Sequence, residues 1–260
     1  MRILFIGDVV GSPGRRACAV AVPPLRESHR IDVCVVNGEN SAGGLGINER
    51  CARDLFDAGA DAITLGNHAF RQRDSYALLD REERIVRPAN YPLSNPGRGS
   101  TVIDIGGRKL GILSLSGAMQ LQVARAPFPA ADAEVGALRR AGAEVILVDF
   151  HAEVTSEKVA LGWHLDGEVA AVLGTHTHVP TADARVLPGG TAHITDVGMT
   201  GPRQSILGVR IEDAIQSFTT QMPTRFKTAD ADVWINAVVV EVGDDGLATS
   251  IEQVLEPVEA

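Results

Sequence analysis

The sequence predicts an α/β fold with mixed strand pairing, and three observations carry that expectation. Short aliphatic runs recur along the chain, each ending in glycine or polar residues. Helix-like stretches separate most of these runs, the pattern of a largely parallel sheet covered on its faces by helices. Two further pairs of runs are joined by glycine-containing turns, which adds antiparallel hairpins and points to a mixed sheet or two packed sheets.

Taken in order, the first run (residues 2–6) ends at Gly7-Asp8, and the second (31–36) ends at Asn37-Gly38-Glu39-Asn40. Residues 48–58 read as a helix, with Asn48 as its N-cap and Gly59 as its stop. The third run (62–65) ends at Gly66-Asn67-His68. Residues 87–100, rich in Pro, Asn and Gly, read as loop. Residues 102–105 and 110–115 flank Gly106-Gly107 as a hairpin, and 117–129 form another loop. A helix over 131–141 stops at Gly142. The fourth run (145–150) ends at His151, and the fifth (169–173) at Gly174-Thr175-His176-Thr177-His178. Residues 233–242 and 248–255 flank Gly243-Asp244-Asp245-Gly246 as a second hairpin. No internal repeat interrupts the pattern, and residues 1–260 read as a single domain.

Composition narrows the function. At 45% hydrophobic and 22% charged, the chain can bury a sizeable core, and with only 4% aromatics that core must be aliphatic. A net charge of −9 with no Lys/Arg-rich run argues against a grip on long nucleic acid, which needs a basic face. A small anionic substrate stays compatible, because bound cations can invert the local sign. The three cysteines, Cys18, Cys34 and Cys51, form no disulfide framework or Cys-x-x-Cys motif, and Cys34 reads as a buried, inert thiol. No apolar run reaches the roughly 18 residues of a membrane span, and Met1 leads straight into a strand. The expectation is a cytoplasmic protein without a membrane partner.

In open α/β sheets ligands bind beyond the carboxyl ends of the strands, and all five runs end in metal-capable residues. Each has a plain alternative: Asp8 as a helix cap, Glu39-Asn40 as turn residues, His68 as a surface histidine. Gly7, Gly11 and Gly14 fit neither the dinucleotide fingerprint nor the P-loop. His176 and His178, two apart in extended chain, would project to one side. Imidazoles beside carboxylates suit borderline divalent metals such as Mn, Fe or Zn. A shared rim explains the whole set more simply than independent accidents do.

Gly7-Asp8, Gly38-Glu39-Asn40, Gly66-Asn67-His68, His151 and Gly174-Thr175-His176-Thr177-His178 together resemble the calcineurin-like metallophosphoesterase superfamily over about the first 180 residues. Residues 36–44, 175–181 and 195–202 resemble signatures of its YmdB-like 2′,3′-cyclic-nucleotide 2′-phosphodiesterase subfamily. The resemblance implies a four-layer α/β/β/α sandwich of two mixed sheets with two metal ions at its rim, iron or manganese ahead of zinc. It implies that Asp8, Glu39, Asn40 and His178 hold one ion. Glu39, Asn67, His151 and His176 hold the other, with Glu39 bridging. A metal-bridging hydroxide would attack a small cyclic phosphodiester, with His68 as general acid, to give a 3′-nucleotide. Two readings stand beside it: a phosphomonoesterase of the 5′-nucleotidase type, and a regulatory protein whose metal pair is structural. Whether copies of the chain associate is left open.

The sequence departs from the wider superfamily at three points. Val9-Val10 follow Asp8 where Asp-x-His is usual, Glu39 stands for a bridging Asp, and Ala69 follows His68 in place of a carboxylate. The group that orients His68 is therefore open. Asp196 is a candidate to hydrogen-bond a ligand histidine. Residues 117–129 and 198–203 are candidate pocket walls, with Arg125 and Arg203 read as solvated.

Overall fold

Alternation along the strands sorts their side chains into three apolar layers. In the computed structural model, which describes residues 1–259, the elements run β1 (Arg2–Ile6), α1 (Gly11–Ser28), β2 (Val33–Asn37), α2 (Glu49–Asp57), β3 (Ala62–Thr64), α3 (Ser75–Arg81), β4 (Ile85–Val86), β5 (Ser100–Ile105), β6 (Arg108–Ser116), α4 (Pro127–Arg140), β7 (Val145–His151), α5 (Thr155–His164), β8 (Ala171–Thr175), β9 (Arg185–Val186), β10 (Ala192–Ile194), β11 (Gly201–Pro202), α6 (Ile211–Thr220), β12 (Val233–Val242) and β13 (Ala248–Pro257). One sheet has seven strands in the order β11-β12-β1-β2-β3-β4, with β13 on the other edge of β12; the second has six, ordered β5-β6-β7-β8-β10-β9. Strands β1 to β4 are parallel to one another, as are β6, β7, β8 and β10. The hairpins β5–β6 and β12–β13 supply the antiparallel content read from the glycine turns.

Ile3 and Phe5 of β1 and Val33 and Val35 of β2 pack between the sheets against Leu110, Ile112 and Leu147. Their neighbours Leu4, Ile6, Cys34 and Val36 face outward under Val22, Leu25 and Leu55 of α1 and α2. On the second sheet Ile146, Val148 and Phe150 face outward under Val135, Leu138 and Leu161 of α4 and α5. The order of layers is therefore α/β/β/α, as expected. Cys34 is fully buried, and burial pushes its thiol upward.

The same period of two matters for chemistry. On β7, Val145 and Leu147 point between the sheets, so Asp149 and His151 point there as well. Gly11-Ser12-Pro13-Gly14 opens α1; proline fits the first helical turn because its missing N–H would be unpaired there anyway. One expectation needs correction: helix α4 starts at Pro127, inside the segment read as loop. Asn48 caps α2 as expected, its Oδ1 accepting from Cys51 N–H at 2.9 Å. No helix among the described residues is long and apolar enough to cross a membrane.

Candidate metal centre

The carboxyl ends of β1, β2 and β3 meet those of β7 and β8, and the residues beyond them converge. Asp8, Glu39 and His151 are fully buried and Asn40 nearly so. Ligand atoms of Glu39, His151 and His176 all lie within 4.8 Å of one another. His151 Nε2 stands 3.0 Å from Glu39 Oε1, 2.9 Å from Asn67 Oδ1 and 3.1 Å from His176 Nδ1. On the other side of Glu39, His178 Nε2 lies 3.8 Å from Asp8 Oδ1 and 3.1 Å from Asn40 Nδ2. Every residue expected at the site is brought to it. Gly66 is required by this crowding, since an added Cβ would overlap the His151 ring and the Glu39 carboxylate.

Each histidine is held by its outer nitrogen. Thr175 Oγ1 donates to Asp149 Oδ1 at 2.7 Å, so His151 Nδ1–H donates to Thr175 Oγ1 at 2.8 Å. His176 Nε2–H donates to Glu153 Oε2 at 3.0 Å, and His178 Nδ1–H to the Leu207 carbonyl at 3.1 Å. These outer bonds fix the tautomers and turn the inner lone pairs into one space, the arrangement that metal-ligating histidines show. Asp149 is itself saturated, its Oδ2 accepting from Asn37 Nδ2 at 2.8 Å and Thr64 Oγ1 at 2.5 Å. Burial raises its pKa to about 6. Glu153 and Asp149 were missed in the sequence, although Asp149-x-His151-x-Glu153 has the period that puts all three on one side of extended chain.

Inner lone pairs that face one another and two buried carboxylates call for positive charge. Protons alone meet the need unevenly. Burial disfavours a charged His151, but Glu39 overrides it and raises the ring to about 9. Burial and then the His151 charge push His176 down to about 3. Burial also raises Asp8. The donor set of imidazole, carboxylate and amide oxygen fits a divalent or trivalent first-row metal. Asn40 turns its Nδ2 among Asp8 Oδ1 (3.4 Å), Glu39 Oε1 (3.3 Å) and His178 Nε2, while its Oδ1 accepts from His68 Nδ1 at 2.8 Å. A half turn of the amide would present Oδ1 to a cation. Glu39 Oε1 lies 3.3 Å from the same His68 Nδ1, and Glu39 Oε2 accepts from the His68 backbone N–H at 3.1 Å, so Asn40 and Glu39 together orient His68.

The His-Thr-His segment differs from expectation. His176 and His178 have φ of 101° and 66°, so the segment is not extended, and the two rings approach from different directions. Such conformations cost of order 1–3 kcal/mol each and persist only where neighbours impose them. Asp196 imposes this one: its Oδ2 accepts from Thr177 N–H at 3.1 Å and Thr177 Oγ1 at 2.7 Å, not from a histidine. The buried Lys158 Nζ donates to the same oxygen at 2.6 Å. Breaking such a buried pair from one side costs about 3–5 kcal/mol.

A family model described as YmdB-like protein matches residues 4–254. The chain is 46% identical over 256 residues to a Bacillus subtilis (strain 168) protein named 2′,3′-cyclic-nucleotide 2′-phosphodiesterase, spanning 98% of this chain and 97% of that one. A crystal structure of a hypothetical protein from Thermus thermophilus is similar at TM-score 0.92 and 42% identity, covering 99% of both chains. That of a novel phosphatase from Mycoplasma pneumoniae is similar at TM-score 0.92 and 33% identity, covering 99% of this chain and 93% of that one.

Two outcomes are expected. Thr175→Val removes the hydroxyl between Asp149 and His151 and should weaken Mn²⁺ affinity by about 10- to 100-fold in a calorimetric titration; unchanged affinity would remove the outer bond from the account. Affinity should also rise with pH toward about 9 and level off above it, because below that value the cation must displace the second proton of His151. Titrations that give one affinity across that window contradict the assignment of His151 as a ligand.

Proposed function

The chain belongs to the family of YmdB-like proteins, and on that premise we propose that it is a metal-dependent phosphodiesterase that opens 2′,3′-cyclic nucleotides to 3′-nucleotides. One observation carries the reading: three imidazoles, each anchored by its outer N–H, aim their inner lone pairs into a space already lined by the buried Asp8 and Glu39. The 46% identical relative named for that activity supports the choice of substrate.

In this reading Asp8, Glu39, Asn40 and His178 hold one ion, and Glu39, Asn67, His151 and His176 hold the other. The donors suit borderline metals such as iron, manganese or zinc, and the family resemblance favours iron or manganese. When bound, the two cations supply the charge that draws in phosphate and acidifies water. The protein's own groups do the rest. Glu39 serves both ions because its Oε1 faces His151 and its carboxylate also meets Asn40 and the His68 backbone. Asn67 holds its amide oxygen against His151 Nε2 and so completes the second position.

His68 is the proton donor. Protonated on both nitrogens, His68 would donate Nδ1–H toward Asn40 Oδ1 and Glu39 Oε1, 2.8 and 3.3 Å away, and give its Nε2 proton to the departing 2′ oxygen as the ester bond breaks, leaving a neutral ring. Positioned acids of this kind contribute about 10²–10⁴-fold. The protein therefore couples cation binding to the acid through Asn40 and Glu39, which both face His68.

His68→Ala is expected to lower kcat on 2′,3′-cyclic AMP by about 10²–10⁴-fold with metal content unchanged, read by steady-state kinetics and elemental analysis. A variant that keeps wild-type turnover excludes His68 as the acid and favours a structural metal pair. The product should be 3′-AMP by chromatography. Adenosine and phosphate, or faster turnover of a simple phosphomonoester than of the cyclic substrate, would favour the nucleotidase reading.

A further inference from the structure

Two cavities flank the metal centre, and only one faces the reacting side. The cavity beside His178 contains Leu207 among its walls, and Leu207 accepts from His178 Nδ1, so that cavity lies behind the imidazole. The other, of about 550 Å³, begins at Asn67 and is lined by Phe70, Arg71, Tyr91, Gln120 and Gln122. It is continuous with the turn that carries His68, since Phe70 and Arg71 follow within three residues. Phe70 and Tyr91 present half-buried rings with centroids 6.2 Å apart and planes 33° from parallel. The charges of Glu39 and Arg71 both act on the Tyr91 hydroxyl, so this wall lies near a carboxylate of the centre and near a guanidinium. Gln120 and Gln122, both exposed, line the same cavity from the loop between β6 and α4.

We propose that this cavity is a nucleobase subsite, in which Phe70 and Tyr91 form an aromatic wall for the base and the glutamine amides meet its hydrogen-bonding edge. This rests on the phosphodiesterase reading above. If His68 protonates the departing 2′ oxygen, the ribose bearing that oxygen lies against His68, and its base falls within one sugar's length. The cavity lined by Asn67 and Phe70 opens beside the turn that carries His68. Its chemistry is the one a base needs: flat apolar rings for stacking, which accepts any base, and neutral amides that can donate and accept. Arg71, exposed on the same lining, carries the guanidinium that could meet phosphate oxygens bidentately.

The test compares 2′,3′-cyclic AMP with its base-free analogue, methyl riboside 2′,3′-cyclic phosphate, on the manganese-loaded full chain. The wild type is expected to favour the nucleotide by about tenfold or more in kcat/KM, mainly through KM. Phe70→Leu keeps apolar volume under the turn and removes the ring; it should erase most of that preference. Gln122→Ala, a change at an exposed side chain, should alter the ratio of 2′,3′-cyclic AMP to 2′,3′-cyclic UMP without unfolding the protein. Adenosine alone, titrated calorimetrically, should bind the wild type and bind Phe70→Leu about tenfold more weakly. Equal turnover of the two substrates by the wild type overturns the subsite while leaving the phosphodiesterase reading intact. Turnover of neither overturns that reading, and the adenosine titration then judges the cavity by itself: no binding, or equal binding by both proteins, ends the proposal.

Discussion

Glu39, His151 and His176 cannot satisfy one another. His151 Nε2 meets a carboxylate oxygen, an amide oxygen and a second imidazole nitrogen within about 3 Å, and all of these are electron donors once the outer hydrogen bonds have fixed the tautomers. A single proton on His151 eases one contact and pushes His176 further from protonation. Burying two carboxylates and three imidazoles in this arrangement makes sense as a receptor for cations, where each lone pair becomes a bond. The fold, the strained segment and the outer polar groups can all be understood as what holds this mutually repelling set in place.

That support is built in depth. Asp149 gathers Asn37, Thr64 and Thr175 between the sheets, and through Thr175 it fixes His151. Lys158 of α5 and Asp196 pin Thr177 and so hold His176 and His178 at left-handed φ. Neither group lines the space into which the inner imidazole nitrogens point. Both devote a buried polar interaction to geometry, the usual reason such groups are retained in an interior otherwise filled by aliphatic side chains. Gly66 supplies the complementary requirement, an absent side chain where His151 and Glu39 crowd the backbone.

Much of this was legible in the sequence because strand ends are readable. Asp8, Glu39, Asn67 and His151 each follow an aliphatic run, and the rule that parallel strands present their carboxyl ends together joins residues far apart in the chain. The hairpins were legible from their glycine turns, and Asn48 from its place before an amphipathic stretch. Helix α1 was hidden because Pro13, Pro23 and Pro24 and its opening glycines contradict helix propensity, which packing against β12 and β11 overrides. Lys158 and the orientation of His68 by Asn40 were not legible, since they depend on contacts between elements rather than on spacing within one. The extended reading of His176-Thr177-His178 failed for a local reason: Asp196, nineteen residues away, holds Thr177 in a conformation the sequence does not favour.

The account stands on two cations sharing Glu39. Crystals of the manganese-loaded protein measured at the manganese absorption edge test this directly by anomalous difference density. Two peaks about 3.5–4 Å apart, one beside Asp8 and His178 and one beside His151 and His176, with Glu39 between them, are the predicted result. A single peak, or peaks away from Glu39, would contradict it.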